Sequence, residues 1–282
     1  MVGFHARASD VLVAVPDCLL VTPGLLSGIP MLEDLTVIAA SRRGEVALTV
    51  TESEAGLDVL VATDQPLTNA LRIELAGFAQ KHGLARLTWV DETVVTMKPP
   101  LQVFGPAQVV PPPGAFLQAT IEGEAALLTA VTEIVAGADR IVDLFAGCGT
   151  FTLPFSARSE VHAVEGEKEM ILALDRGWRG SKGLKRVTRE ARDLFRRPLE
   201  ADELAYFDVA VIDPPRAGAA SQVATLGQSK INKLAMVSCN PVTFGRDVAT
   251  LVNAGFVVDW VQVVDQFRWS AHVEMVASLT RA

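Results

Sequence analysis

The sequence predicts an α/β fold, with a doubly wound, mostly parallel sheet that follows a smaller α+β domain at the N-terminus. After residue 115, hydrophobic strands alternate with helical segments, as they do in sheets of this kind. A glycine-containing turn directly follows one of these strands, at the edge where open sheets bind ligands. The stretch Pro111-Pro112-Pro113-Gly114 has the composition of a boundary. We therefore expect domains at residues 1–115 and 116–282.

In the first domain, runs of β-branched and apolar residues predict four strands, at residues 46–51, 57–63, 86–90 and 93–97. The turn-prone Glu54-Ala55-Gly56 lies between the first two runs and predicts a hairpin. Residues 67–82 have apolar side chains at helical spacing, and Gly83 ends the pattern.

In the second domain, a helix is predicted at residues 122–135, and another opens near Thr150. Strands separated by mostly helical segments are predicted at residues 140–145, 161–165, 187–190, 207–213 and 234–238. The last two strands, at residues 257–264 and 272–279, have no helix between them. This pair is therefore expected to lie antiparallel at one edge of the sheet.

The composition excludes some classes of protein. Hydrophobic residues make up 50% of the 282 residues, enough for one large core or two moderate ones. Apolar runs are far shorter than the roughly 20 residues that a membrane span needs, and the N-terminal residues do not resemble a signal peptide. The three cysteines, at positions 18, 148 and 239, show no C-x-x-C spacing typical of a zinc site. We expect a monomeric, cytoplasmic protein without membrane contact.

The charge distribution gives two opposite indications about nucleic acid. A net charge of −8 argues against it, because phosphate binding needs a basic surface. Residues 176–197, however, contain nine Lys or Arg against the two acids Glu190 and Asp193. A solvated helix face and a contact with RNA both explain such a run, and the solvated face is the commoner cause.

A glycine turn lies in the sequence Asp143 to Thr150, directly after a hydrophobic strand. Gly147 and Gly149 allow a ligand to approach the backbone closely. The third glycine of a dinucleotide-binding loop is replaced by Thr152, which favours a cofactor without a pyrophosphate.

Two acids follow the next strands. Glu165 ends one of them, where a carboxylate can accept hydrogen bonds from both hydroxyls of a ribose. Together with the glycine turn it predicts a nucleoside cofactor, with a simple packing turn as the alternative. Asp193 is a candidate for contact with an adenine amino group, and a helix N-cap or a solvated acid explains it equally well.

Two further strand ends carry residues suited to catalysis. One strand ends in Asp213-Pro214-Pro215-Arg216, where the prolines stiffen the chain and fix an acid and an arginine at a pocket mouth. The next ends in Ser238-Cys239-Asn240-Pro241, with Pro241 suited to the first position of a helix. A thiol beside a helix N-terminus is expected to have a lowered pKa, which makes Cys239 a better nucleophile.

The last strand places His272 and Glu274 on one face by the strand period of two. An inward-facing Glu274 on a hydrophobic strand is costly unless it is paired or used, and burial should raise its pKa. A raised pKa suits a general base, although a structural ion pair explains this residue equally well. His272 is expected to be structural, since His-x-Glu is no zinc motif without further ligands.

Taken together, Asp143 to Thr150, Asp213 to Arg216, Ser238 to Pro241 and His272 to Glu274 closely resemble the RNA 5-methyluridine methyltransferase family in order and spacing. The resemblance covers the second domain, and Gly3 to Cys18 looks like the family's central domain. It implies a Rossmann-like class I methyltransferase domain that uses S-adenosylmethionine to methylate C5 of a uridine in ribosomal or transfer RNA. The cofactor contacts it implies are Gln118, Phe145, Thr150, Glu165 and Asp213, in addition to Gly147 and Asp193 considered above.

The resemblance also implies a covalent mechanism. The Cys239 thiolate would add to C6 of uracil, which makes C5 nucleophilic enough to take the methyl group. Glu274 would then remove the C5 proton, and elimination would free the enzyme, with Asp213 completing the implied catalytic set. Cys148 lies within the glycine turn, where the family needs no thiol, and is expected to be a packing residue.

Two departures from the family pattern stand out. Family members usually begin with a small RNA-binding β-barrel, the TRAM domain, and with three cysteines that hold an iron–sulfur cluster together with one matching Cys18. This sequence starts after them, as a truncated piece or a shortened enzyme would, so Cys18 is an orphan ligand. We expect an ordinary buried thiol there, with no iron–sulfur cluster and no metal in this chain. Thr150 replaces a common Asn, and both side chains can hydrogen-bond.

Two other functions stay open at this point. Methyltransferases of exocyclic amines in nucleic acid carry an acidic or amide residue followed by Pro-Pro and an aromatic ring. Here Arg216 occupies the ring position, and that chemistry has no use for Cys239 or Glu274. A protein that binds RNA or a cofactor without turnover would also fit the acidic net charge.

Overall fold

The computed structural model describes residues 1–6, 9–40, 44–268, 270 and 272–281. The chain divides into two compact units, Met1–Gln102 with Val110–Ala115 and Val103–Val109 with Phe116–Ala282. No helix in these described ranges is long and apolar enough to cross a membrane.

The first unit contains a four-stranded sheet, a small two-stranded pair and two helices. In chain order its elements are β1 Gly3–His5, β2 Leu12–Ala14, α1 Pro23–Ala39, β3 Ala47–Ser53, β4 Gly56–Ala62, α2 Asn69–His82, β5 Arg86–Trp89 and β6 Glu92–Thr96. The larger sheet has the order β3-β4-β5-β6, in which only the central pair β4 and β5 is parallel. Leu35, Leu75 and Trp89 form the centre of its core.

The predicted hairpin, strands and helix of this unit are confirmed. Helix α1 was not predicted, because Gly24, Gly28 and Pro30 interrupt the helical pattern in the sequence. Thr22 caps its N-terminus by accepting a hydrogen bond from the Leu25 amide at 3.3 Å.

The second unit is built around a seven-stranded sheet. After a short pair, β7 Gln102–Phe104 and β8 Ala107–Val109, its elements are α3 Ile121–Val135, β9 Arg140–Leu144, α4 Thr152–Phe155, β10 Glu160–Glu165, α5 Lys168–Gly180, β11 Val187–Ala191, α6 Ala201–Leu204, β12 Val209–Ile212, α7 Ala220–Gln228, β13 Lys233–Ser238, α8 Pro241–Asn253, β14 Val257–Val264 and β15 Glu274–Thr280. The strand order is β11-β10-β9-β12-β13-β15-β14. Strand β15 is antiparallel to both of its neighbours, while the other pairs are parallel.

The predicted doubly wound, mostly parallel sheet is therefore confirmed, as is the antiparallel pairing of the last two strands. Apolar side chains are buried on both faces of the sheet, as in sheets covered by helices. Leu127 of α3 and Leu174 of α5 pack on one face. Val223 of α7 and Leu251 of α8 pack on the other.

This topology brings the candidate residues to one edge. Parallel strands β9, β10, β12 and β13 all end there, and the antiparallel β15 begins there. We call it the carboxyl edge of the sheet. The helix expected to open near Thr150 is a single turn that begins at Thr152, so the glycine turn stays open at this edge.

Candidate active site

The glycine turn after β9 contains backbone conformations with positive φ, which residues other than glycine rarely adopt. Gly147 and Gly149 have φ values of 55° and 100°, and the non-glycine Phe145 has a φ of 63°. A Cβ on Gly149 would lie 2.9 Å from the Leu153 side chain, whereas a Cβ on Gly147 would have no neighbour closer than 3.9 Å. Gly149 is thus required for packing, and Gly147 leaves space beside the backbone into which a ligand can fit.

Glu165 is fixed over this turn. One of its carboxylate oxygens accepts a hydrogen bond from the Gly147 amide at 3.0 Å, and the other accepts from the Glu167 amide at 2.9 Å. Each carboxylate oxygen can accept more than one hydrogen bond, so both oxygens can also bind hydroxyl groups. This is the arrangement that a ribose clamp requires.

An aromatic pair lies at the same edge. The rings of Phe145 and Phe195 are 5.4 Å apart, and Phe195 is 45% exposed. Asp193 accepts hydrogen bonds from the amides of Phe195 and Arg196 at 2.9 and 3.3 Å. Asp193 thus caps the turn after β11, and its contact with an adenine amino group stays a prediction.

Asp143 is the second-to-last residue of β9, and the sequence alone indicates no role for it beyond the start of the glycine-turn motif. It is fully buried, and its Oδ2 accepts a hydrogen bond from the Thr152 hydroxyl at 2.5 Å. Its Oδ1 has no hydrogen-bond partner among the described residues. Burial raises the pKa of this carboxyl to about 7, against the opposing effect of the Thr152 hydrogen bonds. Such an orphaned buried acceptor beside the glycine turn fits a ligand that donates a hydrogen bond.

Gln118 is held by a second glutamine that the sequence-based reasoning did not single out. Gln266, which follows β14 and is 6% exposed, donates its side-chain amide to Gln118 Oε1 at 2.9 Å. Its own carbonyl oxygen accepts from the Thr120 amide at 3.2 Å. A Cβ on Gly123 would lie 2.4 Å from Gln266, so this glycine makes room for it. Thr150, at the end of the glycine turn, is half-buried.

Cys239 and Glu274 come together through the pairing of β13 with β15. The last paired residues are Ser238 and Met275, and continuing this register by one residue sets Cys239 opposite Glu274. Directly opposite residues of antiparallel strands have neighbouring side chains. The Cys239 thiol and the Glu274 carboxyl are therefore neighbours at the carboxyl edge, as expected from the sequence.

Two carboxyls with raised pKa values share this environment. Asp213 is half-buried, and desolvation, followed by the charges of Glu274 and Asp143, raises its pKa to about 8. Glu274 is 6% exposed, and burial raises its pKa to about 7, which confirms the predicted direction. Both groups therefore exchange protons near neutral pH.

The expectation of a lowered thiol pKa for Cys239 is wrong. Cys239 does lie beside the N-terminus of α8, which begins at Pro241. Burial and then the charges of Glu274 and Asp213 nevertheless raise its pKa, while Arg216 acts in the opposite direction. Desolvation and two acids outweigh the helix terminus, since a helix dipole contributes little beyond its first turn.

A set of hydrogen bonds ties the Asp213 loop to α8. Asn240 accepts from the Val242 amide at 3.0 Å and donates to the Arg216 carbonyl at 2.9 Å. Asp247, which is 1% exposed, accepts from the Ala219 amide at 2.7 Å. These contacts hold Arg216 near Cys239. Asn before Pro is a helix N-cap signal, so Asn240 could have been identified from the sequence.

Three other expectations can be checked against the structure. His272 lies before β15 and is exposed, so the period-of-two argument that placed it beside Glu274 is wrong. Cys148 is buried, with its sulfur 3.1 Å from that of Met170, as a packing residue would be. Cys18 is half-buried rather than buried, and its sulfur accepts from the Leu20 amide at 3.4 Å. Within the described ranges, no group of three or more His, Cys, Asp or Glu is arranged to hold a metal ion.

Comparison with known proteins gives concordant matches. Residues 180–282 match the family model described as tRNA (uracil-5-)-methyltransferase. An uncharacterized RNA methyltransferase from Mesorhizobium japonicum is 42% identical over 281 residues, which cover 100% of this chain and 68% of that protein. A 23S rRNA (uracil(1939)-C(5))-methyltransferase from Dichelobacter nodosus is 32% identical over 290 residues, covering 99% of this chain and 67% of that protein.

A solved structure shows the same fold. The tRNA (uracil-54, C5)-methyltransferase of Pyrococcus abyssi, in complex with S-adenosyl-L-homocysteine, superposes with a TM-score of 0.76 at 20% identity. The match covers 96% of this chain and 69% of that one.

Proposed function

Because this chain belongs to the family of RNA (uracil-C5) methyltransferases that use S-adenosylmethionine, we propose that it methylates C5 of a uridine through a covalent adduct with Cys239. The observation that carries the proposal is the register of β13 and β15, which sets Cys239 opposite Glu274. A thiol and a carboxyl so placed can act on one pyrimidine ring between them.

The residues around the glycine turn fit the cofactor. Glu165 would accept hydrogen bonds from the ribose hydroxyls, and the open space at Gly147 would admit the ligand to the backbone. Phe145, Gln118, Thr150 and Asp213 would complete the pocket, while Asp193 adds a carboxylate oxygen near the adenine end. The orphaned Asp143 Oδ1 supplies a further acceptor. When bound, S-adenosylmethionine supplies an electrophilic methyl group on a sulfonium.

Cys239 would begin the reaction as a thiolate that forms a bond to C6 of uracil. The electron pair released towards C5 makes that carbon nucleophilic, so it takes the methyl group. Because burial raises the pKa of the thiol, activation would depend on the amides at the start of α8 and on Arg216.

Glu274 would complete the reaction. Its pKa of about 7 leaves much of it deprotonated at neutral pH, so its carboxylate can remove the proton from C5. The C–S bond then breaks, the electron pair returns to Cys239, and the 5-methyluridine is released. The same residue would carry the accepted proton to solvent before the next turnover.

The test is capture of the adduct. The protein is incubated with S-adenosylmethionine and RNA containing 5-fluorouridine, using both a ribosomal RNA fragment and a transfer RNA, and is then run on a denaturing gel. Fluorine cannot leave as a proton, so an adduct should persist with at least one RNA. Cys239→Ala should form none, and Cys18→Ala, which removes a thiol of the first unit, should form it normally.

Two results would contradict the proposal. Absence of the adduct from protein that still binds the cofactor would exclude the covalent mechanism. Methylation retained by Cys239→Ala would instead indicate transfer to an exocyclic amine, which needs no thiol.

A further inference from the structure

The first half of the basic run, residues 176–186, forms one surface at the end of the sheet opposite the carboxyl edge. Residues 176–186 contain five Lys or Arg and no acid. All of these cations are exposed, and exposed Arg158 joins them in space. We call this set the basic edge; its members are Arg158, Arg176, Arg179, Lys182, Lys185 and Arg186.

The fold gives this surface a defined shape. The connection between α5 and β11 is held by the Trp178 indole, which donates to the Lys185 carbonyl at 3.0 Å. The Lys185 amide donates to the Ser156 carbonyl at 2.6 Å, which brings Arg158 alongside. Gly183, with a φ of 76°, allows the tight path between these contacts. The cations therefore project from an ordered segment.

Few acids compensate the basic edge. Within the described parts of the chain, Arg179 is the only one of the six cations with an ion pair, to Asp175. A solvated helix face would be stabilised by several such pairs, whereas unpaired neighbouring cations repel one another. Five unpaired cations in a chain of net charge −8 are therefore better explained by an anionic partner than by the helix itself.

A shallow cavity adjoins the basic edge. It has a volume of about 380 Å³ and is lined by Arg186 together with Arg140, Glu160, His162, Tyr206 and Phe207. Tyr206 is 68% exposed, and the rings of His162 and Phe207, which line the same cavity, stack with their centroids 5.7 Å apart. Exposed aromatic rings beside cations are the means by which proteins bind unpaired bases together with their phosphates.

We propose that the basic edge binds phosphates of the RNA substrate and that Tyr206 stacks on one of its unpaired bases. The inference rests on the proposed function, since it takes the substrate to be RNA. Strands β9 and β10 rise about 3.3 Å per residue, so the basic edge lies roughly 15–20 Å from the carboxyl edge. Contacts at that distance add affinity and orient the RNA without touching the reacting base.

The experiment compares two triple variants with the same change in charge. Lys182→Gln/Lys185→Gln/Arg186→Gln removes three cations of the basic edge. Lys81→Gln/Lys98→Gln/Lys230→Gln removes three exposed lysines elsewhere. Dissociation constants for the RNA that the protein methylates are measured between 0.05 and 0.2 M salt. The logarithm of the association constant falls linearly as the logarithm of the salt concentration rises, and each lost phosphate contact makes this slope less steep by about 0.7 for single-stranded RNA.

The basic-edge variant should bind RNA at least tenfold more weakly, lose about two units of this slope, and show a raised KM with an unchanged kcat. The control should match the unsubstituted protein. Equal weakening by both variants, or none by the first, would overturn the proposal.

A second pair of variants tests the base contact. Tyr206→Phe keeps the ring and should bind RNA normally, while Tyr206→Ala should weaken binding roughly tenfold, the effect of losing one stacked base. Equal affinity of the two variants would exclude stacking. Cofactor binding and adduct formation on a short 5-fluorouridine hairpin, measured in parallel, show separately whether the proposed function itself holds.

Discussion

The Asn240 side chain joins the helix that follows Cys239 to the loop that carries Arg216: it donates to the Arg216 carbonyl at 2.9 Å and accepts from the Val242 amide at 3.0 Å. One residue thus caps α8 and holds the neighbouring loop. The two contacts can be separated by substitution, because the side-chain nitrogen of Asn240 donates to Arg216 whereas its side-chain oxygen accepts from Val242.

Asn240→Ala removes both contacts, whereas Asn240→Ser keeps a capping oxygen and loses the donor. We expect Ala to lower the free energy of unfolding by about 1 kcal/mol and Ser to leave it nearly unchanged. Both variants should slow adduct formation, because the Arg216 carbonyl then keeps only the Thr243 hydroxyl as a donor, at 3.2 Å, and the loop is held less tightly beside Cys239. Unfolding in denaturant and the rate of adduct formation with 5-fluorouridine RNA measure the two effects.

Thr68→Ala serves as the control for this comparison. Thr68 caps α2 in the first unit by accepting from the Leu71 amide at 3.2 Å. Its loss should reduce stability with no change in the rate of adduct formation. A normal rate in Asn240→Ser would show that the contact with Arg216 does not position the loop.

A second prediction concerns Glu274 as the base that removes the C5 proton. Glu274→Gln should still form the adduct but be unable to resolve it, so a covalent complex should accumulate even with ordinary uridine RNA. In the unsubstituted protein, kcat/KM should rise as pH increases through about 7, because the deprotonated carboxylate is the active form. A denaturing gel and a pH profile provide these measurements. Turnover by Glu274→Gln at the normal rate would assign the proton transfer to another group.

A third prediction links the raised pKa of Asp213 to stability. Burial raises the pKa of Asp213 to about 8 from an ordinary value of 3.8, so the folded state holds a proton that the unfolded state has lost between these values. The contribution of this group to stability is therefore complete below about pH 4 and is lost as pH rises through about 8. Asp213→Asn cannot titrate and should flatten the decline in unfolding free energy between pH 5 and 8.

Denaturant unfolding at several pH values tests this directly. The exposed Asp91→Asn substitution is the matched control and should leave the pH dependence unchanged. An unchanged decline in Asp213→Asn would mean that Asp213 is ionised in the folded protein.

A structural feature could be predicted from the sequence where its cause is local, within a short segment of the chain. The longer strands of the two larger sheets, the glycine turn and the helix start at Pro241 follow from short-range patterns, and the structure contains them. Helix α1 escaped prediction because Pro30 lies inside it, where packing of Leu35 outweighs a poor local propensity.

The site shows the same division. The strand ends at Asp213 and Cys239 could be identified from the sequence, since parallel strands share an edge, and the antiparallel pairing of the last strand brings its first residue, Glu274, to the same edge. The raised pKa of the Cys239 thiol could not, because it results first from burial and then from the charges of Glu274 and Asp213, and both depend on how distant segments pack. Gln266 contacts Gln118 across 148 positions of the chain, and no motif marks it.

That contact leads to a fourth prediction, about cofactor affinity. Gln266 donates to Gln118 Oε1 at 2.9 Å and is itself fixed by the Thr120 amide, so it orients the Gln118 side chain at the pocket. Gln266→Ala and Gln118→Ala should each weaken binding of S-adenosylmethionine, as measured by calorimetry. Because the two residues act as a pair, the free energy of cofactor binding by the double variant should lie within about 0.5 kcal/mol of that of the single variants.

Gln262 is exposed and lies in β14, the strand that Gln266 follows. The Gln262→Ala variant therefore provides the control and should bind the cofactor normally. Additive losses in the double variant would mean that the two glutamines act independently, and that Gln266 affects the pocket through packing against Gly123 rather than through Gln118. Normal affinity in Gln118→Ala would remove Gln118 from the cofactor site. Only a loss in both single variants with no further loss in the double assigns Gln266 the role of positioning Gln118 for the cofactor.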